Sequence, residues 1–268
     1  MKVSVVIPIY NQEKTIKIDL ENICDLMSKT RWDYEVIGVV DGSPDNSYKE
    51  AKKVKRSNLQ VYKFDVNKGK GYAVRYGMAR ATGDYVSFID AGMDIDPNGI
   101  SMLLEHIEWY NADIVVASKK HPVSQVNKYP LMRKLYSFGY FMLVKILFGL
   151  NLKDTQTGLK VCKREVLEKV LPRLLVKRFA FDIEILAVAR YLGFRRIYEA
   201  PVKVRLSFDN TNFSALLIFD KHIRAMILDT LAIFYRLRIL KYYNDDSKRK
   251  WVYDKEMEMR INTGELGR

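Results

Sequence analysis

Residues 85–97, YVSFIDAGMDIDP, read as a buried strand from Tyr85 to Ile89 that runs straight into three carboxylates, Asp90, Asp94 and Asp96. A strand buried on both faces belongs to a mostly parallel sheet covered by helices, so this stretch sets the fold class as α/β. Asp96 stands just before Pro97, a residue favoured at the first helical position, and reads as a helix start. Asp90, at the strand's carboxyl end, is then the acid free for chemistry.

The same texture extends on both sides. Val3–Ile9 is a continuous apolar strand, and Ile16, Leu20, Ile23, Cys24 and Met27 follow at helical spacing. Tyr34–Val40 is the next strand, a basic helix runs near Ser47–Arg56, and a short strand spans Leu59–Phe64. A loop, NKGKGYA, leads through a helix into the strand at Tyr85. Pro97 opens a helix to Tyr110, and DIVVAS is one more strand. After Ser118 the pattern predicts a basic loop, an apolar helix over Leu131–Leu150, a polar loop, a strand and helix, and then a further helix and closing strand. Phe213–Leu240 is amphipathic, and the charged stretch from Lys241 to Arg268 predicts partial order at best.

Composition narrows the partners. The chain has 268 residues, 48% of them hydrophobic, and a formal net charge of +13. That is ample for a core, and the positive excess favours a polyanionic partner: nucleic acid, an anionic membrane surface or a phosphorylated substrate. A nucleic-acid binder should carry a recognition helix, zinc site or aromatic-basic sheet motif, and none is legible, so nucleic acid is not expected as a partner. Two distant cysteines, Cys24 and Cys162, match no metal or disulfide spacing, and MKVSVVIPIY lacks the regions of a signal peptide. Both point to the cytoplasm. No apolar run reaches the roughly 18 residues of a membrane-spanning helix.

Four loops, PIYNQE, DGSPD, NKGKGYA and DAGMD, each put a Gly, Asn or Asp at a turn. Any one alone is turn chemistry. Together on the carboxyl edge of a parallel sheet they mark the place where a nucleotide lies. Carboxylates there suit Mg²⁺ or Mn²⁺ bridging a diphosphate.

With DTQTGLKVCKREVLEKVL and FAFDIEILAVARYLGFRRIYEAPVKV, these segments make the chain resemble the family 2 inverting glycosyltransferases of the GT-A fold. Within that family they are similar to the dolichyl-phosphate mannose and glucose synthases. The likeness spans roughly Lys2–Arg205. It implies a Rossmann-like, mixed, mostly parallel sheet flanked by helices, with residues 1–206 as the catalytic unit. Residues 207–268 would form a C-terminal amphipathic helical segment and charged tail. It also implies an activity: transfer of a sugar from UDP-glucose, UDP-GlcNAc or GDP-mannose to dolichyl or another polyprenyl phosphate. The alternative is a saccharide or other hydroxyl acceptor.

By the same resemblance Pro8, Tyr10, Asn11, Gln12, Asp41, Lys68, Gly69, Asp90 and Ala91 form the nucleotide-sugar site. Asp154 and Gln156 lie near the reacting sugar, and Lys119, Lys120 and Arg133 receive the acceptor phosphate, Arg133 also serving the reaction. The chain departs from the family pattern at Gln12, at Val40 and above all at Gly92, where the second metal-binding Asp belongs. Asp94 is the expected replacement, giving a metal site of Asp90 and Asp94, with Gly92 supplying the backbone freedom to turn it inward; the alternative is weak metal dependence, with basic residues taking over part of the charge neutralisation. Two apolar basic segments, Leu131–Leu150 and Phe213–Leu240, predict peripheral attachment to the cytoplasmic face of a membrane. Oligomeric state is not legible.

Overall fold

The computed structural model describes residues 1–126, 131–178, 180–205, 221–245 and 249–266, with side chains described at all of these except 131–134, 221–222, 249 and 264–266. Its centre is a seven-stranded sheet of β1 (Lys2–Ile9), β2 (Asp33–Asp41), β3 (Leu59–Phe64), β4 (Tyr85–Ile89), β5 (Ile114–Ser118), β7 (Leu159–Lys163) and β8 (Ile197–Pro201). The spatial order is β3-β2-β1-β4-β7-β5-β8, and the two short strands β6 (Gln125–Val126) and β9 (Lys203–Val204) pair with each other in parallel. Every neighbouring pair is parallel except those of β7, which runs antiparallel to both β4 and β5. The mixed, mostly parallel sheet expected from the sequence is present.

Two apolar layers cover the sheet because successive strand residues point to opposite faces. Val5 and Ile7 of β1 join one layer, with Ile16, Leu20, Ile23 and Met27 of α1 (Ile16–Met27) and Ile100, Leu103, Leu104 and Ile107 of α4 (Asn98–Trp109). Val6 points the other way, with Phe88, Ile114 and Cys162, towards α3 (Lys70–Arg80) and α7 (Phe181–Tyr191). Fully burying a side chain such as Leu20 contributes about 1.5–3 kcal/mol, so the periodicity of α1 is matched by its packing. The short helices α2 (Ser47–Lys53) and α6 (Arg164–Val170) complete the cover. The helix after Pro97 starts as expected, with Asp96 Oδ1 accepting a hydrogen bond from the Asn98 amide at 3.0 Å.

The apolar segments are helices α5 (Leu131–Phe148) and α8 (Lys221–Phe234). They meet through the Phe148 and Phe234 rings, 6.3 Å apart, and through Tyr140 Oη and Thr230 Oγ1, 2.9 Å apart. Residues 213–220 of the expected amphipathic segment lie outside the described residues.

The end of the chain differs from its expectation. β10 (Arg249–Asp254) and β11 (Met259–Leu266) pair antiparallel, Met257 and Asn262 are buried, and Tyr243 joins the core. The charges that read as a solvated tail have partners on the body: Glu256 with Lys68, Glu258 with Arg80, and Asp245 with Arg173.

Candidate active site

Strand β1 lies between β2 and β4, pairing Ile9 with Val40 on one side and Val6 with Phe88 on the other. The register brings Asp41, at the end of β2, and Asp90, one residue past β4, to either side of the turn at Tyr10. A cleft of about 560 Å³ opens there, lined by Pro8, Tyr10, Gln12, Asp41, Gly69, Asp90 and Ala91 among the residues expected from the sequence. Asn11, at φ 53°, sits in the same turn and donates its amide to Ser43 Oγ at 2.9 Å. Gln12 Oε1 accepts a hydrogen bond from Thr15 Oγ1 at 2.9 Å, which fixes its side chain at the rim.

Asp41 is buried, and both its oxygens are taken: Oδ1 by the Lys68 amide at 2.7 Å and Oδ2 by the Gly69 amide at 2.8 Å. Its carboxylate thus shapes the loop that walls the cleft. The Lys68 side chain turns away from the cleft, its ammonium 4.5 Å from the Phe64 ring centre and 4.9 Å from that of Tyr72.

Asp90 sits at the floor. Lys70 donates to its Oδ2 at 2.9 Å, while Oδ1, 2.8 Å from the same ammonium, is buried and accepts no hydrogen bond. Behind Lys70 stands Asp182 of α7, 3.7 Å away and itself bonded to Lys160, which is fully buried on β7. Burial works to lower the Lys70 pKa, but the charges of Asp182 and Asp90 outweigh it and hold the ammonium well above its ordinary value. Gly158 must lack a side chain, because a Cβ there would lie 1.8 Å from Asp90 Oδ2.

Gly92 has φ 99° and Met93 φ 57°, so the chain reverses sharply after Asp90. Gln12 would be 3.6 Å from a Cβ at Gly92, so the backbone conformation, not lack of space, calls for glycine. Asp94 is exposed and does not line the cleft; partial desolvation of its carboxyl and the nearby Asp90 charge raise its pKa. Among the described residues no group of three or more His, Cys, Asp and Glu is placed to hold a metal ion. A cation at Asp90 would need oxygens brought by a ligand and by water, a common arrangement for Mg²⁺ on nucleotides.

The acceptor-side candidates form a separate group. Asp154 is buried, its Oδ2 accepting from the Lys119 amide at 3.0 Å and Thr157 Oγ1 at 2.6 Å, its Oδ1 from the Gln156 amide at 3.3 Å. Lys119 Nζ lies 3.7 Å from the same carboxylate. Lys120 Nζ donates to the Ser137 carbonyl of α5 at 2.9 Å, and burial lowers its pKa. Gln156 reaches Tyr140 Oη at 3.5 Å. This group borders the cleft through the Gly158 carbonyl, which accepts from the Asp90 amide at 2.9 Å. The side chain of Arg133 lies outside the described residues.

Sequence reading missed eight cleft residues: Ile9, Asn67, Lys70, Arg178, Ala180, Ala225, Met226 and Asp229. Lys70 was legible as the second lysine of NKGKG, and Arg178 as a cation just ahead of FAFDIEIL. The three on α8 carry no local signal; a packed helix brings them in.

The family model for glycosyl transferase family 2 matches residues 4–171. The dolichyl-phosphate beta-glucosyltransferase of Dictyostelium discoideum is 31% identical over 204 residues, covering 71% of this chain and 62% of that protein. The Homo sapiens protein of the same name is 29% identical over 205 residues, covering 71% and 63%. The chain thus spans less than two thirds of these relatives' length. Among solved structures, glucosyl-3-phosphoglycerate synthase from Mycobacterium tuberculosis, crystallised with Mn²⁺, UDP-glucose and phosphoglyceric acid, superposes with a TM-score of 0.65 at 19% identity. That match covers 97% of this chain and 86% of the synthase.

Proposed function

Because the chain belongs to glycosyl transferase family 2, we propose that it moves a sugar, glucose foremost, from a nucleoside diphosphate sugar to a polyprenyl phosphate such as dolichyl phosphate. The observation that carries this reading is the half-exposed Asp90 carboxylate, with Lys70 against it, on the floor of a cleft at the sheet's carboxyl edge. The relatives' name favours glucose and a dolichyl acceptor.

Asp90 suits a divalent cation in kind: it offers carboxylate oxygen, and its Oδ1, 2.8 Å from the Lys70 ammonium, accepts no hydrogen bond. Asp90 would hold Mg²⁺ or Mn²⁺, which would neutralise charge on a departing diphosphate; Asp94, the expected second ligand, lies outside the cleft. Lys70 and Arg178 add positive charge to the same wall. The bond from the anomeric carbon to the diphosphate oxygen breaks, its electron pair leaving with the diphosphate. A phosphate oxygen of the acceptor forms the new bond from the opposite face, with inversion. A phosphate acceptor is already anionic and needs positioning, for which Lys119 and Lys120 are at hand.

A hydroxyl acceptor would require a general base. Asp154 is ill suited to that task, with its oxygens held by the Lys119 and Gln156 amides and Thr157. The expected product of UDP-glucose and a short polyprenyl phosphate is therefore a lipid-linked glucose; glucose handed to water or to a saccharide would defeat this reading.

The acceptor implies a membrane surface. Among the described residues no helix is long and apolar enough to cross a membrane. Helices α5 and α8 leave Leu135, Phe138, Ile146, Leu228 and Leu231 exposed, and the π-helical turn that follows, Tyr235–Ile239, adds Tyr235 and Ile239 beside Arg236 and Arg238. This composition suits a helix resting in anionic headgroups, each cation contributing about 1 kcal/mol near the surface. Flotation with vesicles containing anionic lipid is expected at low salt and reduced at high salt. A chain that stays at the bottom of the gradient in both would rule the surface out.

A further inference from the structure

Glu256 ties the hairpin of β10 and β11 to the loop that walls the cleft. Glu256, in its turn, accepts hydrogen bonds from Lys68 Nζ at 2.5 and 2.7 Å and from Tyr72 Oη at 2.6 Å. Its own carbonyl accepts from Arg80 Nη2 at 2.8 Å. Asp254 Oδ1 fixes the turn through the amides of Glu256 and Met257, at 2.8 and 3.0 Å, and the Met257 side chain is buried in the core behind α3. The carboxylate is thereby presented at a set position rather than on a loose arm.

What it grips matters more. Lys68 belongs to the loop whose amides, at Lys68 and Gly69, close on Asp41, while Asn67 and Gly69 line the cleft. With its ammonium between the Phe64 and Tyr72 rings and its charge met by Glu256, Lys68 cannot swing into the cleft without giving up both. Residues 188 apart in sequence thus share the task of holding one wall.

We infer that Glu256 is a positioning residue for the nucleotide subsite: the C-terminal hairpin clips the Asn67–Gly69 loop in the shape that receives a nucleoside diphosphate. The role rests on the nucleotide reading of the cleft. It acts through preorganisation, since a loop already held in its binding shape loses less freedom when the ligand arrives.

The full-length protein tests this with Glu256→Ala, Glu256→Gln and, as a control on the same turn, Glu258→Ala. Hydrogen exchange at the Lys68 and Gly69 amides is expected to speed up in Glu256→Ala, with β1 and β4 unchanged. UDP affinity in Mn²⁺ should fall about tenfold, appearing in KM with kcat within about twofold, as lost preorganisation predicts. Glu256→Gln, whose amide oxygen still accepts from Lys68 and Tyr72, should recover most of that affinity, and Glu258→Ala should match the native protein. Unchanged exchange, or faster exchange with unchanged UDP affinity, overturns the inference. If Glu256→Ala melts early, Tyr72→Phe, which removes one of the two side-chain donors to Glu256, decides: the inference requires faster exchange at the Lys68 and Gly69 amides and a smaller loss of UDP affinity, and native exchange and affinity overturn it. Native protein that binds neither UDP nor GDP overturns the reading of the cleft instead, while the exchange data still judge the clip.

Discussion

Asp90→Ala is expected to lower turnover by about 10³-fold or more, since carboxylate-held metal supplies several kcal/mol of charge stabilisation to a departing diphosphate. The fold should hardly notice. Asp90 has a side chain 40% exposed, and its only side-chain partner among the described residues is Lys70. A partly exposed ion pair contributes about 0–1 kcal/mol, so thermal melting should shift by only a few degrees. The gap between those two effects is what separates a residue of the reaction from a structural one. Parallel steady-state assays and melts measure both, and an Asp90→Ala protein with native turnover would remove the metal from the account.

The largest effect on stability should come from the pair behind it. Lys160 is fully buried and Asp182 nearly so, and Lys160 has the Thr157 carbonyl, 2.8 Å away, as its other partner. Asp182→Ala strands that ammonium in the core, at a cost of about 3–5 kcal/mol. For a chain of this size the melting temperature should fall by about 10 °C. Replacing both, Asp182→Leu with Lys160→Met, should restore much of the stability, because well-packed apolar residues often match a buried ion pair. A single Asp182→Ala variant that melts within a degree of the native protein would show that Lys160 reaches water.

Much of this was legible in the residues themselves. Strands such as Val3–Ile9 and Tyr85–Ile89 announce their burial by unbroken apolar runs, and the loops at their ends carry Asp41 and Asp90 into one cleft. Direction was not legible: Leu159–Lys163 reads like its neighbours, yet β7 runs antiparallel between β4 and β5. Periodicity reports which faces are covered and says nothing of which way the chain runs. Lys160 shares its strand face with Cys162, and only packing against α7 supplies the Asp182 that makes a buried lysine tolerable.

The C-terminal stretch failed for a related reason. Its charge density reads as solvated, but Glu256 finds Lys68 and Glu258 finds Arg80, partners far away in sequence. Gly92 is a backbone device, the positive φ at Gly92 and Met93 reversing the chain after Asp90, but that turn leaves Asp94 exposed and outside the cleft instead of carrying it inward. Lys68 was singled out for its motif, and the cleft instead receives Lys70, two residues on, because Gly69 turns the chain between them.

The most direct test is to incubate the purified chain with UDP-glucose labelled in the sugar, Mn²⁺ and a short-chain polyprenyl phosphate in detergent, and to follow the label. The account predicts organic-soluble lipid-phosphate glucose of inverted anomeric configuration, formed one for one with UDP and abolished by chelation. Label that stays in the aqueous phase with UDP-glucose and GDP-mannose alike, or product formed undiminished in EDTA, would contradict it.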